Sequence, residues 1–175
     1  DHNGAVRFRE RRPTYKTDYS GFLHHLVEMV EYIRTEQQSD FTLGIGLPGA
    51  IDPDTGLIKN CNCLVLNGEN LAKDLASRLE QPVFLANDAD CFTLSEAIDG
   101  AGQGYGTVFG IIIGTGCGGG VVVNGQLLSG PNAIAGEWGH NPLPGWTPEK
   151  DGPVQHCYCL HENCVESYLS GTGFS

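Results

Sequence analysis

Apolar residues in the first hundred positions alternate between helical and strand spacing. From Asp18 to Gln37 they recur at every third or fourth position, which predicts an amphipathic helix capped by Asp18 or Ser20. Leucines at the same spacing predict a second helix that begins near Asn70. The predicted helices are 18–37, 70–79 and 89–98, and the predicted strands are 5–10, 41–47 and 82–86. Strands that alternate with helices in this way indicate an α/β sheet covered by helices.

The pattern changes near residue 105, where a glycine-rich stretch with short apolar runs replaces the strand–helix alternation. Asn124-Gly125 between two such runs predicts a type I′ hairpin turn. The predicted strands here are 107–113, 121–123 and 126–128. We therefore place a domain boundary at 104–106, which divides the chain into predicted domains 1–105 and 106–175.

Composition and charge then narrow the class of protein. The chain has 175 residues, of which 40% are hydrophobic, and a formal net charge of −11. Residues 1–16 are basic and the remainder is strongly acidic, so the surface as a whole repels nucleic-acid phosphates. Neither a membrane-length apolar run nor a signal peptide is apparent, and we expect a cytoplasmic protein with no membrane partner. The absence of an initiator Met predicts a segment of a longer protein.

Three of the seven cysteines lie within eight residues, at Cys157, Cys159 and Cys164. Three thiolates with His140 make the closed tetrahedral set that structural zinc prefers, although His156 and His161 compete for the fourth position. The alternative is a loop of reduced cysteines without metal. The other four are expected to be small buried residues: Cys61, Cys63, Cys91 and Cys117.

A run of glycines from Gly114 to Gly120 lies between two predicted strands. Glycines in a tight turn leave backbone N–H groups available to an anion, and no Cβ blocks a close approach. The run has no Walker lysine and does not lead into a helix. A glycine-rich hairpin without a ligand is therefore an equal alternative.

Polar residues with catalytic potential follow at three places. Asn87-Asp88 comes after a predicted strand, where ligands of α/β sheets bind, and Asp88 is a candidate general base. Either residue could instead cap the next helix. Glu137, His140 and Glu166 are candidates for binding several hydroxyl groups at once. The alternative for Glu166 is an acid in the first turn of a predicted helix, 165–170.

Together these motifs resemble the ROK family (repressors, open reading frames and kinases) of the actin-like ATPase superfamily. The matching runs are Gly44-Ile45-Gly46-Leu47-Pro48-Gly49, Leu85-Ala86-Asn87-Asp88-Ala89-Asp90, Ile113-Gly114-Thr115-Gly116-Cys117-Gly118-Gly119-Gly120, Gly136-Glu137-Trp138-Gly139-His140, Cys157-Tyr158-Cys159 and Cys164-Val165-Glu166. The run from Glu137 to Pro144 looks most like the bacterial fructokinase (mannokinase-type) branch, with the N-acetylglucosamine kinases close behind. The resemblance implies an α/β, actin-like (ribonuclease H-like) two-domain sugar kinase fold, present here as an incomplete segment.

The resemblance also implies ATP-dependent phosphorylation of a hexose at O6, most simply fructose, with ATP, Mg²⁺ and structural Zn²⁺, in a homodimer. By resemblance, Asp88 is the catalytic base, and His140 binds zinc through one ring nitrogen and sugar through the other. The implied sugar ligands are Gly49, Asn87, Asp88, Glu137, His140 and Glu166. The implied phosphate-binding residues are Gly114, Thr115, Gly116 and Gly118, on a turn expected to be separate from the zinc loop.

Other activities within and outside the family remain open. They are an N-acetylglucosamine kinase, a glucokinase, a sugar-sensing ROK repressor and a zinc-loop interaction module without activity. The retained Asp88 favours a kinase, because a sensor needs no catalytic base.

The chain departs from the family pattern in two respects. Family members usually carry glycine at the positions of Leu160 and Asn163. The family's first phosphate loop would precede Asp1, and its adenosine-binding segment would follow Ser175.

Overall fold

The computed structural model describes residues 4–171 and residue 173. The helices are α1 (Tyr19–Gln37), α2 (Leu71–Leu79), α3 (Asp88–Asp99), α4 (Pro148–Asp151) and α5 (Glu166–Leu169), with 3₁₀ turns at Leu64–Leu66 and Trp138–His140. The strands are β1 (Leu43–Leu47), β2 (Ala50–Ile51), β3 (Ile58–Lys59), β4 (Val83–Asn87), β5 (Thr107–Ile113), β6 (Cys117–Val123) and β7 (Gln126–Leu127). None of the described helices is long and apolar enough to cross a membrane.

The first helix forms where the periodicity predicts it. The Asp18 carboxylate accepts a hydrogen bond of 2.7 Å from the Gly21 N–H, so Asp18 and not Ser20 is the cap. The helix ends at Gln37, and the left-handed backbone of the next residue, Gln38 (φ 47°), turns the chain away. Phe22, Leu23 and Val30 make the buried stripe of α1.

A single apolar core joins α1 and α2 to the parallel pair β1–β4. Leu71, Leu75 and Leu79, one helical turn apart, are each no more than 2% exposed. The Tyr19 hydroxyl ties α1 to α2 by donating to the Asp74 carboxylate at 2.7 Å. Because β1 and β4 run parallel in register, their carboxyl ends lie at the same edge of the sheet. The candidate residues that follow each strand therefore meet there.

The second sheet is antiparallel, in the order β5–β6–β7. Asn124 and Gly125 at its tight turn both have positive φ (50° and 76°), which confirms the predicted hairpin. Helix α3 packs on β5 and β6 through fully buried Thr93. Thr93 fits between Gly110 and Gly120, which pair directly across the sheet, and a Cβ on either would clash with it.

Four local expectations are wrong. Residues 5–10 are not a strand, because Phe8 packs edge-on against Tyr32 of α1 instead of in a sheet. Cys91 is exposed, since it lies two residues from both Ala89 and Thr93, the buried stripe of α3. Strand β6 begins at Cys117 rather than at residue 121, and α5 ends one residue early, at Leu169.

The small hairpin β2–β3 lies in a stretch for which the sequence predicts no strand. The division into two domains stays a prediction, and its outermost residues lie outside the described part of the chain.

Candidate active site and metal centre

Asn87 is the last residue of β4 and lies at the edge of the sheet where β1 and β4 end. Its Oδ1 accepts from the N–H groups of Ala89 and Asp90, at 2.9 and 3.1 Å, so the capping role is confirmed. Its Nδ2 donates to the Gly49 carbonyl at 2.9 Å. The amide thus fixes the loop after β1 to the start of α3, and brings Gly49 and Asp88 to one edge.

Asp88 is the first residue of α3, and its side chain is exposed. One carboxylate oxygen accepts from the Ala89 N–H at 2.9 Å. An exposed, oriented carboxylate of this kind can accept a proton from a substrate hydroxyl.

Four acidic side chains, which we call the acidic cluster, are close enough to influence one another: Asp88, Asp90, Glu137 and Glu166. Burial raises the pKa of Glu137, and the carboxylates of Asp90, Glu166 and Asp88 raise it further, while His140 opposes them. Burial and the charge of Asp88 likewise raise the pKa of Asp90. Sequence spacing alone gave no reason to include Asp90.

The segment that carries Glu137 and His140 lies directly on the backbone of β6. Gly136 packs against Gly119, and Gly139 packs against Cys117, so closely that a Cβ on either would overlap the strand. The Trp138 indole donates a hydrogen bond of 2.6 Å to the Gly118 carbonyl. The glycines 118–120 therefore serve backbone packing in a strand, a role that sequence reasoning missed.

The turn before β6 is built from Gly114, Thr115 and Gly116. The Gly114 N–H donates within the turn to the Gly116 carbonyl at 2.9 Å. The next N–H after the turn, that of Cys117, donates to Glu166 Oε2 at 2.7 Å. The residue after the turn is therefore tied to the start of α5, two residues beyond Cys164, although the turn and the cysteine loop are distinct segments. Phosphate binding by Gly114, Thr115, Gly116 and Gly118 stays a prediction.

The predicted metal ligands come together around one point. The ligand atoms of His140, Cys157, Cys159 and Cys164 all lie within 4.8 Å of one another. His140 Nδ1 is 3.5 Å from Cys157 Sγ, and the sulfurs of Cys159 and Cys164 are also 3.5 Å apart. Tetrahedral zinc with bonds of about 2.3 Å separates its ligands by about 3.7 Å, so the set fits this ion.

The competing histidines lie outside this group. His156 Nδ1 is 3.6 Å from the Glu162 carboxylate, and the two residues form an isolated β-bridge across the loop. His161 contributes its backbone carbonyl, which accepts from the Cys157 N–H at 2.9 Å. Geometry therefore favours His140 as the fourth ligand.

Leu160 and Asn163, the two departures from family glycines, both have left-handed backbones, with φ of 72° and 54°. Leu160 is 92% exposed. Asn163 tolerates this backbone better, and its Oδ1 also accepts from the Gln155 N–H at 2.9 Å and the Tyr168 hydroxyl at 2.8 Å. The loop thus keeps, at both positions, the left-handed backbone that glycine suits. This backbone is strained at Leu160, whereas at Asn163 the two hydrogen bonds compensate for it.

Tyr158 lies beside the other ring nitrogen of His140. Its hydroxyl is 3.1 Å from His140 Nε2, and the two rings meet edge-on. With Nδ1 facing the cysteines, Nε2 is the nitrogen available to a hydroxyl group. In the sequence, only the position of this tyrosine between two predicted metal ligands indicates the contact.

Comparisons with known proteins agree with this geometry. A model of the ROK family matches residues 1–175. The chain is 41% identical over 174 residues to the N-acetyl-D-glucosamine kinase of Haemophilus influenzae (strain 86-028NP), covering 95% of this chain and 56% of that protein.

Two solved structures are similar in fold. One is a ROK family glucokinase from Streptomyces griseus in complex with glucose and AMPPNP, with 28% identity and a TM-score of 0.74, covering 91% of this chain and 48% of that one. The other is a ROK family transcriptional regulator, a homologue of the E. coli MLC protein, with 25% identity and a TM-score of 0.75, covering 90% and 39%.

The chain therefore spans little more than half the length of the curated relative. The α/β fold expected from the sequence, an actin-like fold present in part, is confirmed.

Proposed function

The chain belongs to the ROK family, and from this premise we propose that the full-length protein transfers phosphate from ATP to a hexose, with this chain supplying the sugar site and the catalytic base. The observation that carries the proposal is the convergence of an exposed Asp88 with Glu137, Glu166 and a metal-facing His140. A general base beside several hydroxyl-binding groups suits attack by a sugar hydroxyl.

In the proposed reaction, Asp88 accepts the proton of the attacking hydroxyl. The hydroxyl oxygen forms a bond to the γ-phosphorus of ATP, the bond from that phosphorus to the bridging oxygen breaks, and ADP leaves. Such transfers depend on positioning and charge stabilisation more than on covalent catalysis. Asn87 contributes by fixing the start of α3, which carries Asp88, relative to Gly49. Mg²⁺, bound with ATP, would neutralise phosphate charge.

The proposed sugar ligands depend on the metal centre for their positions. When bound by the four candidate ligands, zinc would supply a structural tie. With Nδ1 toward the metal, His140 would carry its proton on Nε2 and would donate it to a sugar oxygen in place of the Tyr158 hydroxyl, which is 3.1 Å away in this structure. Glu137 precedes His140 by three residues, and Glu166 follows Cys164 by two. Fixing the metal ligands therefore also fixes the positions of these two carboxylates.

For the identity of the hexose, two observations compete. The curated relative that is 41% identical is named an N-acetyl-D-glucosamine kinase. The motif from Glu137 to Pro144 resembles fructokinases. We propose N-acetyl-D-glucosamine first and fructose second, with glucose as a further candidate because of the similar glucokinase structure.

A sugar-sensing repressor is the second candidate function, favoured by the structural similarity to the transcriptional regulator. Since both classes share this fold, similarity of fold does not separate them. The test is to incubate the full-length protein with ATP, Mg²⁺ and each of the three sugars, and to measure sugar phosphate and ADP. Sugar binding without turnover would overturn the kinase proposal and support the repressor. Homodimerisation stays a prediction, which the mass of the full-length protein in solution tests.

A further inference from the structure

The chain contains two tryptophans, and the structure treats their indole N–H groups differently. That of Trp138 donates to the Gly118 carbonyl at 2.6 Å. That of Trp146 is buried with no hydrogen-bond partner in the described part of the chain. Only the Trp138 indole therefore joins its segment to the sheet by a hydrogen bond.

Trp138 stands between two proposed sugar ligands, directly after Glu137 and two residues before His140. The 3₁₀ turn that it begins is only three residues long, and no side chain caps it. So short a turn does not hold its own orientation. The glycines on either side pack on β6 but carry no side chain to fix the register.

Glu137 also experiences forces that would move it. It is half-buried, and three other carboxylates repel it. A half-buried carboxylate under this repulsion is relieved either by taking up a proton or by moving toward solvent, and a held backbone opposes the movement. The bond from the indole to β6 is a side-chain contact that holds the backbone between Glu137 and His140 to the sheet.

We propose that Trp138 is a positioning residue for sugar binding, which acts by anchoring the segment 136–140 to the Gly118 carbonyl. The inference rests on the proposed function, because it assigns Glu137 and His140 to the sugar. The catalytic base Asp88 belongs to another segment, and Gly118, which accepts the bond, is itself held in the β5–β6 ladder by its pairing with Ile112. Loss of the anchor should therefore weaken sugar binding selectively.

The test compares Trp138→Phe with Trp146→Phe in the full-length protein. Each variant keeps an aromatic ring and removes one indole N–H, but only the first removes a hydrogen bond. We expect Trp138→Phe to raise the Kd and KM for the sugar by about tenfold or more, because small misplacements of binding groups are amplified in affinity and rate. We expect unchanged KM for ATP and unchanged zinc content, and Trp146→Phe should match wild type.

A shape-preserving replacement separates the hydrogen bond from the ring. In the Trp146→Phe background, an amber codon at position 138 places benzothienylalanine, in which sulfur replaces the indole N–H, at that position alone. The same rise in sugar Kd, measured by calorimetry, would support the anchor. A normal Kd with this analogue would overturn it, even if Trp138→Phe is impaired.

The remaining outcomes are equally decisive. Equal losses for sugar, ATP and zinc, together with a lower Tm, would show a purely structural role and overturn the proposal. A wild-type protein that binds sugar without turnover would defeat the kinase but leave the anchor testable by Kd. A wild-type protein that neither binds nor phosphorylates a sugar would overturn both.

Discussion

The Glu166 carboxylate accepts a hydrogen bond of 2.7 Å from the backbone N–H of Cys117, 49 residues earlier in the chain. This bond connects the loop with the three clustered cysteines to the turn that precedes β6. The donor lies directly after a tight turn. The bond therefore orients Glu166 and also satisfies an N–H group that would otherwise need solvent. A substitution of Glu166 is therefore expected to affect both the cysteine loop and the glycine turn.

Two substitutions of Glu166 separate its two roles. Glu166→Gln keeps an oxygen that accepts from Cys117 but removes the charge, and we expect a raised KM for sugar with little change for ATP. Glu166→Ala removes the acceptor too, which should raise both KM values, by about tenfold for loss of a charge-assisted bond. Steady-state kinetics of the full-length protein measures both. Identical behaviour of the two variants would contradict a role at the turn.

Asp88→Asn tests the catalytic base. The amide keeps the shape but accepts no proton, so turnover should fall by roughly 10²-fold or more with little change in sugar affinity. Asp90→Asn is the matched control, since it makes the same change two residues later in the acidic cluster. It should retain most of the turnover. Comparable losses from both variants would point to the charge of the cluster rather than to proton transfer.

Cys159→Ser tests the metal centre. Loss of one thiolate leaves an open coordination position, so we expect loss of zinc and faster proteolysis of the loop. Cys91→Ser changes an exposed cysteine outside the cluster and should keep its metal. Elemental analysis of freshly purified protein measures the zinc content. Absence of zinc from the wild-type protein would overturn the proposed metal centre.

Leu160→Gly and Asn163→Gly should shift stability in opposite directions. Leu160 adopts φ 72° with its side chain exposed, so glycine relieves backbone strain, and we expect about 1 kcal/mol of added stability. At Asn163, glycine suits the backbone but removes the acceptor for Gln155 and Tyr168, so stability should fall. Denaturant unfolding with zinc bound measures both. A destabilised Leu160→Gly would be inconsistent with strain at that position.

Glu137→Gln should stabilise the protein while it weakens sugar binding. Burial raises the pKa of Glu137, so the folded state holds this proton more tightly than the unfolded state, and ionisation at neutral pH lowers stability. The gain from glutamine is full above the raised pKa, shrinks as pH falls through it, and vanishes below the ordinary value of 4.5.

The measurement is the Tm of variant and wild type across pH, at equal metal content. Glu149→Gln, at an exposed position, is the control for charge alone. A stability gain at Glu137 that did not depend on pH would argue against the burial of its charge.

The regular elements of the first half were predictable because their apolar residues have clear periods. α1 and α2 each bury one stripe against a common core, and their caps, Asp18 and Asn70, are visible in the sequence. Residues 5–10 show why alternation alone fails: Phe8 has an apolar neighbour, but that neighbour is a helix. Periodicity reports which side is buried and not what buries it.

The candidate site was predictable where one side chain carries the chemistry, as at Asp88 and at the cysteines. It was not predictable where backbone approach decides. Glycines 118–120 resemble a ligand-binding turn in the sequence, yet they form a strand on which Gly136 packs. A glycine run has no side-chain pattern, and its partner lies far along the chain. Trp138 was missed for the same reason, since its bond partner is a backbone carbonyl.

The bond between Cys117 and Glu166 joins residues 49 positions apart, so it forms only after the whole stretch between them has been synthesised. The core of α1, α2, β1 and β4 is built from residues 19–87, so these residues are synthesised before Glu137 and Glu166. Contacts between distant residues form more slowly than local ones, and folding proceeds from the N-terminal side as the chain emerges. A nascent chain thus contains Asp88, directly after β4, before Glu166 has been synthesised. Asp88, the proposed proton acceptor, therefore precedes Glu137, His140 and Glu166, its proposed sugar-binding partners in the last quarter of this sequence.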